Sequence, residues 1–209
     1  MRLSQSQRSQ RRTSRAPAAI VGINSGLISK SSSDAIISAA GAGGLAGDNS
    51  GVIDQSFFAG SATSNTANQP GGIAGLNFAG GIIENSYVTG TVTGPAAGGA
   101  IGYNWNAGAA EAHDSYSVGT VTGSGSGGFI GTDTAPTRSI DECYWDLDTS
   151  GIDNPHQGAG SPLDDPGITG LTDAELKSGL PAGFDPAIWS ENPNINNGYP
   201  YLIANPPPQ

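Results

Sequence analysis

Asp146, Asp148 and Ser150 occupy alternate positions of DLDTSGIDNPHQ, and Gly151 follows them. That is the opening of a calcium loop of the form D-x-[DN]-x-[DN]-G-x5-E, in which side-chain oxygens converge on a hard cation. Gln157 stands where the loop requires a bidentate glutamate, and the flanking helices are missing, as Trp145 follows a strand. The stretch therefore reads as an Asp/Ser/Gly turn. Calcium at these three residues is the weak alternative, and no other cofactor is expected. Sugar cleavage would need clustered carboxylates, or an acid beside a base, in a groove. Asp54, Glu84, Asp141 and His113 share one recurring position beside an apolar one, which predicts a column facing water. Only Lys30, Arg138 and Lys177 could neutralise an acidic sugar beyond the first 15 residues. His156 has no serine nucleophile near it in the chain, and H-E-x-x-H is absent. Cys143 falls in a position held elsewhere by serine, so a small buried side chain is expected there and no nucleophile. No catalytic residue is assigned. SAT at 61–63 and TVT at 91–93 and 120–122 could line up hydroxyls on a flat face. Threonine on any solvated strand explains them equally.

Composition bounds what these residues can belong to. Glycine is 33 of 209 residues and charged residues are 12%. Isoleucine, valine and aromatic residues recur at regular places, which favours an all-β chain with many turns over a disordered one. Arg2, Arg8, Arg11, Arg12 and Arg15 are five of the eight basic residues, so residues 1–17 read as a basic, disordered arm. From residue 16 onward three basic side chains face 18 acidic ones, a net of 3 − 18 = −15. That surface repels phosphate backbones and anionic lipid, so nucleic acid is not an expected partner. No run approaches the length of a membrane span. A single cysteine excludes an intramolecular disulfide.

The elements that position these residues are repeats. Five segments align, starting at Ala18, Gly43, Gly71, Gly98 and Gly127. One column holds Gly22, Gly47, Gly75, Gly102 and Gly131, and two residues later stand Asn24, Asn49, Asn77, Asn104 and Asp133. Ile53, Ile83, Ala112 and Ile140 form a third column, with Ser56, Ser86, Ser115 and Cys143 a fourth. Phe57, Tyr87, Tyr116 and Tyr144 form a fifth. One repeat of 25 to 29 residues cannot bury its own apolar side, whereas stacked coils pair every strand and build a continuous core. The expected fold is an all-β, right-handed parallel β-helix, or β-solenoid, of about five coils over residues 18–144. Asparagines then form an amide ladder, glycines permit positive φ and close approach, and the isoleucine and aromatic columns fill the interior.

The outline GGIAGLNFAGGIIENSYVTGTV at 71–92 and its siblings resemble the GLUG motif of large bacterial surface proteins of the filamentous haemagglutinin and adhesin type. That resemblance implies an architecture and an extracellular, cell-surface setting, with no catalytic residues of its own. Residues 145–209 are expected to form a C-terminal loop and capping module like those that close such arrays. In it Thr172 to Glu175 reads as a capping box opening one short helix, and Phe184, Ile188, Trp189, Tyr199, Tyr201 and Leu202 are an apolar set suited to covering the open last coil. The resemblance implies a non-enzymatic structural or adhesive segment of an exported bacterial surface protein, expected to bind host or neighbouring-cell glycans or proteins, with further coils of a longer chain as another expected partner. A carbohydrate-active β-helix enzyme is the alternative, and an ice-binding solenoid a further one. Tyr103 and Trp105 interrupt the pattern with extra aromatics and form the candidate contact patch.

Overall fold

The structure is a computed structural model that describes residues 18–66, 68–105, 109–134 and 139–208. The basic arm, Arg138 and the segment 106–108 beside Trp105 lie outside the described residues.

Three parallel sheets wrap a common interior. The first stacks Val21–Asn24, Ala46–Asn49, Ala74–Asn77, Ile101–Asn104, Ile130–Asp133 and Ala159–Ser161 in that order. The second carries Leu27–Ser29, Val52–Asp54, Ile82–Glu84, Glu111–Ser117 and Ile140–Asp146, together with Ser32–Ser33, Phe57–Phe58 and Tyr87–Val88 beyond a corner. The third stacks Ile36–Ser38, Ser61–Thr63, Thr91–Thr93 and Val121–Thr122. Register is like on like: Asn49 opposes Asn77, Ile53 opposes Ile83, and Tyr87 opposes Tyr116. The chain is thus an all-β parallel solenoid of about five turns. Stacking continues past Tyr144, because Ile168–Leu171 pairs with Cys143 to Asp146.

The ladder predicted from the asparagine column is present. Asn24 Nδ2 donates to Asn49 Oδ1 at 2.8 Å, Asn49 to Asn77 at 2.9 Å, Asn77 to Asn104 at 3.0 Å, and Asn104 to Asp133 at 3.2 Å. The second Nδ2 proton goes to a carbonyl of the following coil, Val52, Ile82 or Glu111. These amides are buried, so satisfying both protons is what makes burial tolerable. The isoleucine column is interior as expected, and its shortfall at Ala112 is local, between Ile83 and Ile140.

The glycines work by close approach. A Cβ on Gly71 would lie 2.1 Å from the Ala74 carbonyl oxygen and 2.4 Å from the Gly102 nitrogen. The second glycine of each pair makes room for the core: a Cβ on Gly128 would lie 2.1 Å from the Trp145 ring. Positive φ, expected in this motif, falls elsewhere. Lys30, Gln55, Asn85, Asp114 and Glu142 take φ of 50, 47, 46, 47 and 50°.

That conformation corrects the placement of the aromatic column. Ile53 and Phe57 are four residues apart and would share a face of a straight strand. One left-handed residue between them, Gln55, flips the parity, so Ser56 and Phe58 point in and Phe57 points out. Phe57, Tyr87, Tyr116 and Tyr144 therefore line the outside of the coil, and the residues that follow them, Phe58, Val88, Ser117 and Trp145, line the inside.

Replacing Asn77 by leucine removes the acceptor of Asn49, the donor of Asn104 and the bond to Glu111. The expected destabilisation is about 3 kcal/mol, a fall in Tm of roughly 6–12 °C for a chain of this size. Thermal unfolding checks it, with Ser25→Ala, on an exposed position of the first coil, expected to change stability by less than about 0.5 kcal/mol.

Candidate functional site

Beyond Leu171 the chain turns back along the solenoid instead of covering its end. Thr172 caps Asp173–Leu176 through the predicted box, its hydroxyl accepting from the Glu175 amide while the Glu175 carboxylate accepts from Thr172. The strap that follows lays Phe184, Trp189, Tyr199 and Leu202 on the outward aromatic column. Phe57, Tyr87 and Tyr116 stack at 4.8 and 5.2 Å between centroids, within 12° of parallel. Trp189 tilts across Tyr87 and Tyr116 at 6.0 and 5.8 Å and stacks on Phe184 at 4.5 Å. Its indole N–H donates to Asn85 Oδ1. The Tyr116 hydroxyl donates to the Pro200 carbonyl and accepts from Asn196. Asn205 reaches the first two coils, donating to the carbonyls of Ser31 and Gln55. The apolar set read from the sequence is thus a lateral clasp, and the reason is the flipped parity: it leaves an aromatic ribbon outside that must be covered.

The carboxylates lie beside this clasp. Asp54, Glu84, His113 and Asp141 share one column of the second sheet, as the repeat predicted. The left-handed corner adds Asp114 and Glu142, which sequence reasoning passed over although Lys30, Gln55, Asn85, Asp114 and Glu142 all precede the serine column. Asp54 accepts from Ser29, Gln55 and Asn85. Partial burial holds the Glu84 and Asp114 carboxyls above the usual range, reinforced for Glu84 by Asp54 and for Asp114 by Glu142, while His113 opposes both shifts. His113 Nε2 lies 3.2 Å from Glu111 Oε2. Gly183 brings the strap backbone against this corner, where a Cβ would fall within 2.5 Å of an oxygen of both Glu142 and Asp114. The Tyr144 hydroxyl donates to the Ala182 carbonyl, and burial with Glu142 nearby pushes it up to about 12.

Each of the calcium candidates is engaged by protein hydrogen-bond donors. Asp146 is fully buried; Oδ1 accepts the amides of Asp148 and Thr149, and Oδ2 accepts the Tyr199 hydroxyl at 3.0 Å. Asp148 accepts the amide of Asp173 from the helix start, and Ser150 Oγ accepts the amide of Ile152. This is a turn tied to the clasp. Among the described residues no group of three His, Cys, Asp or Glu is arranged to hold a metal ion. Cys143 is buried in the serine column, its thiol pushed up by burial and directed to the Asp141 carbonyl.

The aromatic interruption lies on a separate face. Trp105 is 44% exposed and stacks on Phe78 at 6.4 Å and 25°. Phe78 was not singled out from sequence, although it follows Asn77 as Trp105 follows Asn104. Tyr103 is half-buried between Leu76 and Thr132 on the outer face of the first sheet, and its hydroxyl meets Thr134 Oγ1 at 3.4 Å. On the third sheet Thr63, Thr93 and Thr122 align in one column and Ser61 and Thr91 in another.

The fold defines a parallel β-solenoid assembled from tandem coils. Residues 66–93, which run through the third coil, match the family profile described as the GLUG motif, so the chain carries a GLUG repeat. No curated protein and no solved structure gives a match to the chain. No helix among the described residues is long and apolar enough to cross a membrane.

Truncating Trp189 to alanine removes the centre of the clasp and is expected to cost about 3–5 kcal/mol. Urea unfolding measures the loss, and limited proteolysis is expected to cut first within 178–200. Asp114→Asn tests the crowded corner. A carboxyl whose folded pKa is raised above the ordinary 3.8 stabilises the fold fully below that value, and the contribution is lost as pH rises through the folded pKa. The amide keeps the left-handed backbone and removes that loss. D114N is therefore expected to raise the urea midpoint at pH 7 and to leave it unchanged at pH 3.

Proposed function

We propose that the chain is a non-enzymatic structural and adhesive segment of an exported bacterial surface protein, acting outside the cell. The observation that carries this reading is that each repeated column has a packing partner: asparagine with asparagine, isoleucine with isoleucine, aromatic with clasp. The Phe78 and Trp105 pair stands outside that scheme, Phe78 half-buried and Trp105 exposed, each directly after a strand of the first sheet, and is the surface assigned to a host or neighbouring-cell glycan or protein. Exposed aromatics on a fixed scaffold supply large contact area at small entropic loss, which is why they dominate binding energies. The acidic column fits the same reading. Its carboxylates project from one side of one sheet, whereas glycoside cleavage places two carboxyl groups on either side of the scissile bond.

The test is binding of the full chain to an immobilised glycan panel and to host-cell surfaces. Trp105→Ala is expected to weaken binding by about tenfold or more with Tm unchanged. Binding indifferent to Trp105, or hydrolysis of a glycan that Glu84→Gln abolishes, would contradict the reading. The third sheet favours a second reading, because Ser61, Thr63, Thr91, Thr93 and Thr122 project hydroxyls from a face whose strands carry no ionisable residue. Ice recrystallisation in the presence of the chain, compared with Thr93→Lys, decides it; equal crystal growth with either protein removes ice binding.

A further inference from the structure

The polar ladders have a direction, and among the described residues only the C-terminal end terminates it. Each asparagine passes an Nδ2 proton to Oδ1 of the next coil, from Asn24 through to Asp133. The serine column runs the same way: the amide of Ser31 donates to Ser56 Oγ, Ser56 to Ser86, and Ser86 to Ser115. At the C-terminal end Asp133 accepts, and its side chain has no amide proton to pass on. The strand that pairs Thr132 with Ser161 ends there, and the next residue, Pro162, has neither N–H nor side-chain donor.

At the N-terminal end no described residue terminates the ladder. Asn24 is 6% exposed, and among the described residues its Oδ1 accepts only the Gly26 amide at 3.2 Å, whereas Asn49 Oδ1 accepts both the Gly51 amide and the Asn24 side chain. Ser31 Oγ keeps its bond to the Ser29 carbonyl at 2.9 Å, as Ser56 and Ser86 keep theirs, yet among the described residues no amide of an earlier coil reaches it. Lys30 holds the same left-handed corner as its counterparts. Ile20, the counterpart of the fully buried Leu45 one coil on, is 43% exposed at this rim. The first coil is built as an internal one.

Chemistry selects what fits there. A second copy stacked head to tail would offer Pro162, and one stacked head to head would set one Oδ1 against another. Neither supplies a donor. We infer that the N-terminal rim is a docking surface for a further coil of this repeat, which donates a side-chain amide to Asn24 Oδ1 and a backbone amide to Ser31 Oγ. The inference rests on the stacking part of the proposed function and is independent of the adhesive part, which can fail without affecting it.

The experiment inserts a copy of residues 71–97 between Pro17 and Ala18, so that Ala18 follows as Gly98 does in the parent chain. The added coil is expected to raise Tm by at least about 2–4 °C and to resist protease. The same insert with leucine at its ladder asparagine is expected to give less than half that gain. No gain, or equal gain from both inserts, overturns the inference. So does a fall in Tm when residues 1–17 are deleted, which would mean that the arm occupies the rim, or dimerisation of the parent chain that the insert abolishes. Should the inserted chain not fold, a peptide of residues 71–97 added to the unmodified protein is expected to shift the Asn24 side-chain amide resonances, and unshifted resonances at millimolar peptide overturn the inference.

Discussion

One residue per coil sits where side chains rarely go, and the whole exterior follows from it. Lys30, Gln55, Asn85, Asp114 and Glu142 hold φ between 46 and 50°, which costs an L-residue with a Cβ about 1–2 kcal/mol. The serine that follows braces the corner. Its hydroxyl donates back across the strained residue, Ser56 to the Asp54 carbonyl and Ser86 to the Glu84 carbonyl, while it accepts an amide from the preceding coil. Strain in one coil is thus tied to its neighbours. Cys143 takes that place in the fifth coil with a weaker and longer bond of 3.4 Å.

The flipped parity divides the apolar residues into two clusters. Ile53, Ile83, Phe58 and Trp145 join the interior, and Phe57, Tyr87, Tyr116 and Tyr144 join the clasp. Each cluster completes the other. Without the clasp a stacked aromatic ribbon would face water, and without the ribbon a strap with a single short helix would have nothing to fold against. Polar anchoring is spread along the strap, at Asp146 through Tyr199, Asn85 through Trp189 and Ser31 through Asn205, so it spans the coils from first to last.

Much of this was legible in the sequence because stacking makes like residues recur. The asparagine ladder, the isoleucine core, the glycine pairs and the Thr172 capping box were all visible as residue types at fixed spacing. The side on which the aromatics lie was not, since it depends on the conformation of one residue that is Lys, Gln, Asn, Asp or Glu and never Gly. Where the strap docks was hidden for the same reason. The loop at Asp146 resembled a cation site because its competing donor, Tyr199, comes from 53 residues away. Phe78 carried a readable signal, its place directly after the ladder asparagine, and was absorbed into the repeat.

The outward aromatic ribbon beneath a lateral clasp is the claim on which this account stands, and nuclear Overhauser contacts in protein labelled at aromatic rings and isoleucine methyls test it most directly. Cross-peaks are predicted from Trp189 to the rings of Tyr87 and Tyr116, whose centroids lie 6.0 and 5.8 Å away, with none from those tyrosines to the methyls of Ile53 and Ile83. Tyrosine rings in contact with the Ile53 and Ile83 methyls, and none with Trp189, would contradict it.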